Sequence, residues 1–148
     1  MADIGIVLLR REEFPLASEV RVKLLEGTVG VASARSHAIV VDRSPELGGA
    51  DLGFTGGEVL FASIGTCLLT TLVGAARNKK IEMTKIEFTI TGESASNPSR
   101  FASIDVQAVV EGNASDEELA ELLELAEKRC TVSNTIAVGA PINVSRIA

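Results

Sequence analysis

The chain carries two cysteines, Cys67 and Cys130, and a single histidine, His37. A thiol attacks only as the thiolate, which at neutral pH requires a nearby cation or a helix N-terminus. Two thiols can serve as a working redox couple, or both can be core filler, since free cysteine is among the most buried of residues. Cys67 lies in an uncharged stretch rich in small residues, and Cys130 closes the last turn of a helix that runs from acidic to basic. At a helix C-terminus the unpaired carbonyls favour the protonated thiol, an effect that Lys128 and Arg129 partly offset. That makes Cys130 the poorer nucleophile and Cys67 the better candidate. Two cysteines and one histidine cannot complete a four-ligand zinc site without carboxylates, and there is no CxxC spacing, so no metal and no bound cofactor is expected. His37, in a turn beside Arg35, reads as a hydrogen-bonded turn residue rather than a base.

The elements that must hold these groups follow from periodicity. Val20, Val22 and Leu24 alternate with Arg21 and Lys23, which predicts a half-buried strand ending at the turn Glu26-Gly27. Val29 to Ala34 and Ala38 to Val41 predict two more strands hinged at Arg35-Ser36-His37, completing an antiparallel meander. A connection rich in Gly and Pro, from Ser44 to Gly57, leads into a long helix from about Glu58 to Arg77. Its glycines match neither GxxxxGK[ST] nor GxGxxG, and Asp51 and Glu58 would repel a phosphate, so it is a flexible connection or a lid and not a nucleotide cradle. Ile86, Phe88 and Ile90 alternate as a fourth strand; Phe101 begins a fifth, with Ile104, Val106, Ala108 and Val110 on one face. Ser115-Asp116-Glu117-Glu118 is a capping-box signature, and Leu119, Leu122, Leu123 and Ala126 then recur at helical spacing. A last strand is expected around Ile142 to Ile147, after Pro141. The order β-β-β-α-β-β-α-β is an α+β fold without repeats.

At 148 residues and 46% apolar content, the chain is read as one domain over 1-148. A net charge of −6 with neither Trp nor Tyr gives no cationic surface for phosphates and little to stack a base on, so nucleic acid is not an expected partner. The run Ile4 to Leu9 is short for a signal segment and is followed by Arg10 and Arg11, which predicts a cytoplasmic protein, where a lasting structural disulfide is disfavoured. Val59 to Ala76 is 18 residues without a charge, the lower threshold for a membrane span. It holds Ser63, Gly65, Thr66, Thr70, Thr71 and Gly74, however, which suits a helix covered by its own protein or by a second copy better than one in lipid, and no membrane partner is expected.

The stretch Glu58-Val59-Leu60-Phe61-Ala62-Ser63-Ile64-Gly65-Thr66-Cys67, taken with Arg129-Cys130-Thr131-Val132-Ser133-Asn134-Thr135, resembles the two cysteine motifs of the OsmC/Ohr family, the osmotically inducible and organic hydroperoxide resistance proteins. The similarity runs from about Val20 onward. It implies an intertwined homodimer with its long helix central, two sites at the subunit interface, and reduction of organic hydroperoxides by thiol chemistry. Under the resemblance Cys67 is the peroxide-attacking cysteine, Cys130 the resolving cysteine that joins it in a transient disulfide, and Glu58 the glutamate at the start of the helix, at the spacing of the general OsmC-like branch. An external dithiol is the expected reductant. Thr131 stands where the family often has proline, and the first hairpin turn, Glu26-Gly27, lacks the arginine of the resistance branch.

Nine residues separate Glu58 from Cys67, which puts them about 180° apart around a helix and roughly 13 Å apart along it. Glu58 can then act only across a subunit boundary or through a bend, by orienting an arginine. Arg35, Arg43, Arg100 and Arg129 are the candidates, with Arg35 preferred because the two turns of a meander can face the same partner. Phe54, Leu60, Phe61, Ile64 and Leu68 are the expected apolar walls, suited to an alkyl or lipid hydroperoxide. The alternative reading is a redox-sensing or apolar-ligand-binding module with little turnover.

Overall fold

The computed structural model describes residues 19–147, and the chain separates into two compact units that meet between Thr55 and Gly56. In the first, β1 (Arg21–Glu26), β2 (Val29–Ala34) and β3 (His37–Val41) form an antiparallel sheet in the order β1-β2-β3. The pairings Glu26↔Val29 and Ala34↔His37 leave two-residue turns, Gly27-Thr28 and Arg35-Ser36. The expected meander is therefore present, with its first turn one residue later than the alternation implied. The expectation of a half-buried first strand is corrected: every residue of β1 is exposed, Val22 at 67% and Leu24 at 72%. The alternation specifies an apolar face, and no described residue covers it.

What orders the rest of this unit is polar. Asp42, just past β3, is 5% exposed. Its carboxylate accepts hydrogen bonds from the Thr28 hydroxyl (2.6 Å) and from the backbone N–H of Arg43 (2.7 Å), Ala50 (3.0 Å) and Leu52 (3.1 Å). Four donors on one carboxylate fix the connection through the 3-10 turn Pro45–Leu47 to the first hairpin turn. The Thr28 hydroxyl, against the opposing effect of desolvation and with help from the three amides, lowers the Asp42 pKa to about 2.

The second unit holds α1 (Gly56–Lys79), the long hairpin β4 (Met83–Ala95) and β5 (Arg100–Gly112), α2 (Asp116–Arg129) and α3 (Thr131–Val138). Ile64, Leu68, Leu72, Ala75 and Ala76 form the buried face of α1, at the i, i+4 and i+3 intervals that keep one stripe in register. α2 begins with the full capping box read from the sequence: the Ser115 hydroxyl accepts from Glu118 N–H, and the Glu118 carboxylate accepts from Ser115 N–H. Leu119, Leu122 and Ala126 then bury against Leu72, Ala75 and Ala76 of α1, with Phe88 and Val110 of the hairpin packed alongside. Although α1 has the length and hydropathy of a membrane span, here it is the wall on which β4, α2 and α3 rest. Its hydroxyls return to their own helix: Ser63 Oγ donates to Leu60 O, Thr66 Oγ1 to Ala62 O, and Thr71 Oγ1 to Cys67 O.

In the second half one unforeseen feature appears and one expectation is corrected. β5 carries a bulge, because Glu93 pairs with Ser103 but Ser94 pairs with Phe101, leaving Ala102 as the extra residue. Phe101 and Ile104 thus share one face despite their odd spacing. The last strand around Ile142 to Ile147 does not form: residues 139–147 have no regular structure and are exposed. In place of a direct run into that strand the chain makes α3. The observed order is β-β-β-α-β-β-α-α, still a mixed α+β fold.

Candidate active site

Cys67 is half-buried in the middle of α1, and Cys130 is fully buried at the junction of α2 and α3. The fold brings the two thiols together. Cys67 packs on the cluster formed by Ile64, Leu68 and Cys130, together with Phe61, Phe88, Ile104 and Val132, with its side chain near enough to the Cys130 sulfur to help lower that thiol's pKa. Ile64 and Leu68 flank Cys67 by three residues and one, so the stripe that anchors α1 also carries the half-buried thiol to the cluster. The Cys67 carbonyl accepts from the hydroxyls of Thr70 (3.1 Å) and Thr71 (2.8 Å).

The setting of Cys130 differs from the helix C-terminus expected of it. Its backbone leaves the helical region (φ −69°, ψ 105°), which ends α2 and starts α3 at the next residue. Cys130 is thus the N-cap of α3, and its sulfur accepts from the Ser133 N–H (3.4 Å) and the Ser133 hydroxyl (3.1 Å). Burial pushes the thiol pKa up. The Ser133 hydroxyl and amide, the Cys67 side chain and the Val132 amide outweigh that, so the net pKa lies below the ordinary thiol value. The expected setting of Cys130 among helix-ending carbonyls is overturned, because the sulfur faces helix-starting amides instead. Sequence reasoning missed both α3 and Ser133. The signals were available: Cys130 and Ser133 have the N-cap to N3 spacing, and Gly139 followed by Pro141 marks a helix end.

Beside this cluster lies a cavity of about 570 Å³. Of the expected apolar walls, Ile64 and Leu68 line it, joined by Phe88, Phe101 and Ile104, with Ser133, Asp105 and Glu127 among its polar groups. Phe61 does not line it but stacks on Phe101 with ring centroids 4.7 Å apart. The two rings need the missing side chain of Gly92, where a Cβ would come within 2.5 Å of Phe61 and 3.0 Å of Phe101.

The other expected site residues lie apart from this cluster or in the other unit. Glu58 is exposed in the first turn of α1 and has an interaction partner. α1 runs unbroken to Lys79, so the nine-residue separation from Cys67 keeps the two roughly 13 Å apart along the helix. Arg35 belongs to the first unit, on the β2–β3 turn, with a left-handed φ of 54°, as does Phe54. Among the other arginines, Arg43 donates to Leu47 O (3.4 Å) and Arg100 to Pro98 O (3.2 Å). Among the described residues no three or more His, Cys, Asp or Glu side chains group as metal ligands.

The cluster thus sets two thiols, one half-buried and one buried, beside an apolar pocket. Residues 48–145 match the family model for OsmC-like protein. No curated protein matches the chain. Among solved structures, an OsmC-like protein from Mycoplasma pneumoniae superposes with a TM-score of 0.74 at 23% identity, covering 82% of this chain and 87% of that one. An organic hydroperoxide resistance protein from Elizabethkingia anophelis gives 0.61 at 21% identity, covering 82% and 89%. The organic hydroperoxide resistance protein of Bacillus subtilis gives 0.56 at 21%, covering 80% and 89%.

Proposed function

Because the chain belongs to the OsmC-like protein family, we propose that it is a thiol-dependent peroxidase that reduces alkyl or lipid hydroperoxides in the cytoplasm. The Cys67 thiolate attacks the terminal oxygen of ROOH; the O–O bond breaks, RO⁻ takes a proton and leaves as the alcohol, and Cys67 becomes a sulfenic acid. The Cys130 thiolate then attacks the Cys67 sulfur, hydroxide leaves as water, and a Cys67–Cys130 disulfide remains for an external dithiol to reduce. The observation that carries this reading is the contact of a half-buried thiol with a buried one whose pKa is lowered. The apolar cavity next to them supports an organic substrate over hydrogen peroxide, which gains nothing from such a wall.

The working unit is a homodimer. Support comes from the open apolar face of β1 and from the exposed face of α1, where Ala62, Thr66, Leu69 and Thr70 present small or back-bonded side chains to a second copy. Glu58 and Arg35 act, on this reading, in the assembled dimer, with Arg35 supplying the positive charge. Stopped-flow consumption of cumene hydroperoxide tests the assignment: wild type turns over with a dithiol, Cys130→Ser makes one turnover and stops as an oxidised Cys67, and Cys67→Ser is inert. Equal rates for wild type and Cys67→Ser end it.

One observation favours the second reading, a redox sensor or apolar-ligand module with little turnover. The first hairpin turn, Gly27-Thr28, holds no cation. A slow wild-type reaction together with an apolar molecule retained in the cavity would select that alternative.

A further inference from the structure

We propose that Ser133 is a positioning residue that makes Cys130 the departing sulfur of the Cys67–Cys130 disulfide, so that the regenerating dithiol attacks Cys67. This rests on the peroxidase reading for how the disulfide arises, but its geometry stands separately. Ser133 gives two donors to one sulfur, its hydroxyl at 3.1 Å and its amide at 3.4 Å. That sulfur belongs to a residue with no exposed surface, whereas Cys67 is partly exposed. Access and leaving-group stabilisation therefore select the same direction. An incoming thiolate has its access at the partly exposed residue of the pair, and the sulfur that departs as an anion is the one already bonded by donors.

The chemistry balances with a dithiol as the two-electron reductant. Its first thiolate bonds to the Cys67 sulfur as the Cys67–Cys130 bond breaks, and the electron pair of that bond leaves on Cys130. The second thiolate of the reductant then attacks the reductant's own sulfur in the mixed disulfide, which closes the oxidised dithiol and releases Cys67 as a thiolate. Cys67 is the titratable side chain packed with Cys130 from α1, while β4 and β5 contribute Phe88 and Ile104. Glu127, Lys128 and Arg129 at the end of α2 are exposed charges.

The test forms the disulfide with diamide, so that it does not depend on peroxide turnover. With wild type, a monothiol such as 2-mercaptoethanol followed by acid quench should leave the mixed disulfide on Cys67 in peptide mass spectra. Ser133→Ala should slow reduction by dithiothreitol about tenfold, the effect of losing a hydrogen bond to a charged group, and Ser133→Thr should restore most of the rate. In a Cys67→Ser background, the ultraviolet thiolate signal of Cys130 should titrate at higher pH in Ser133→Ala and return towards the original midpoint in Ser133→Thr, a response that a packing role alone would not give. An adduct on Cys130, an unchanged reduction rate in Ser133→Ala, or no disulfide under diamide each overturns the proposal. A wild type that ignores cumene hydroperoxide yet releases Cys130 in this assay would sink the peroxidase reading and leave the present one intact.

Discussion

The two units are stabilised by opposite means. Every buried apolar side chain among the described residues lies in the second unit, from Ile64 to Cys130, whereas the one buried charged group, Asp42, lies in the first. Apolar burial is non-directional and grows with area, so it can support a cavity and a pair of thiols without specifying each contact. A carboxylate with four donors is directional and fixes one loop in one shape. The first unit thus has a defined backbone with open apolar faces, and the second has a closed core. In the proposed dimer the former is completed by a second copy.

The contrast can be broken from either side. The largest effect expected is on chemistry: Cys67→Ser should abolish hydroperoxide consumption while leaving the unfolding midpoint near wild type, since the side chain is half-buried and changes by one atom. Next comes the core. Leu122 has no exposed surface, and Leu122→Ala should lower stability by about 2–5 kcal/mol in urea titrations. Val22→Asp with Leu24→Asp should cost little in an isolated chain, where both are exposed, but should convert a dimer to a monomer by sedimentation velocity. A monomeric wild type would sharpen the comparison against the dimer.

Acid should act on the first unit selectively. The Asp42 pKa is lowered to about 2 in the folded chain, against about 3.9 for a free carboxyl. A depressed value means that the carboxylate's contribution is fully present above the unfolded pKa and is lost as pH falls from about 4 through about 2. Hydrogen exchange at Ala50 and Leu52 should accelerate in that window before the amides of α1 follow, and Asp42→Asn should show the faster exchange already at neutral pH. Uniform acid response across both units would contradict the assignment. The smallest effect is at the α2 cap, where Ser115→Ala should cost about 1 kcal/mol, measured by thermal unfolding.

Which features were legible in the sequence follows the same division. α1, α2 and the β4–β5 pair were readable because each carries a periodic apolar stripe, and α2 begins with a capping box. α3 left only its end signals to read, because it is eight residues long, with no buried side chain and a sulfur in place of the usual capping oxygen. The alternation at Ile142 and Val144 gives strand propensity, but a strand also needs an edge to pair with, and both side chains remain about nine-tenths exposed. Asp42 escaped notice because three of its four partners are backbone amides, which leave no mark on residue type. The two cysteines were singled out by type and motif; their contact depends on the turn that ends α2 at Cys130.

The bulge at Ala102 makes the hairpin a counting device. Because one strand holds one residue more than its mate between Glu93 and Ser94, Phe101 arrives on the side that receives Phe61 and lines the cavity. Shortening the chain there by a single residue would turn that ring outward and remove one wall of the chamber, so pocket size in this molecule is written partly in strand length rather than in side-chain identity.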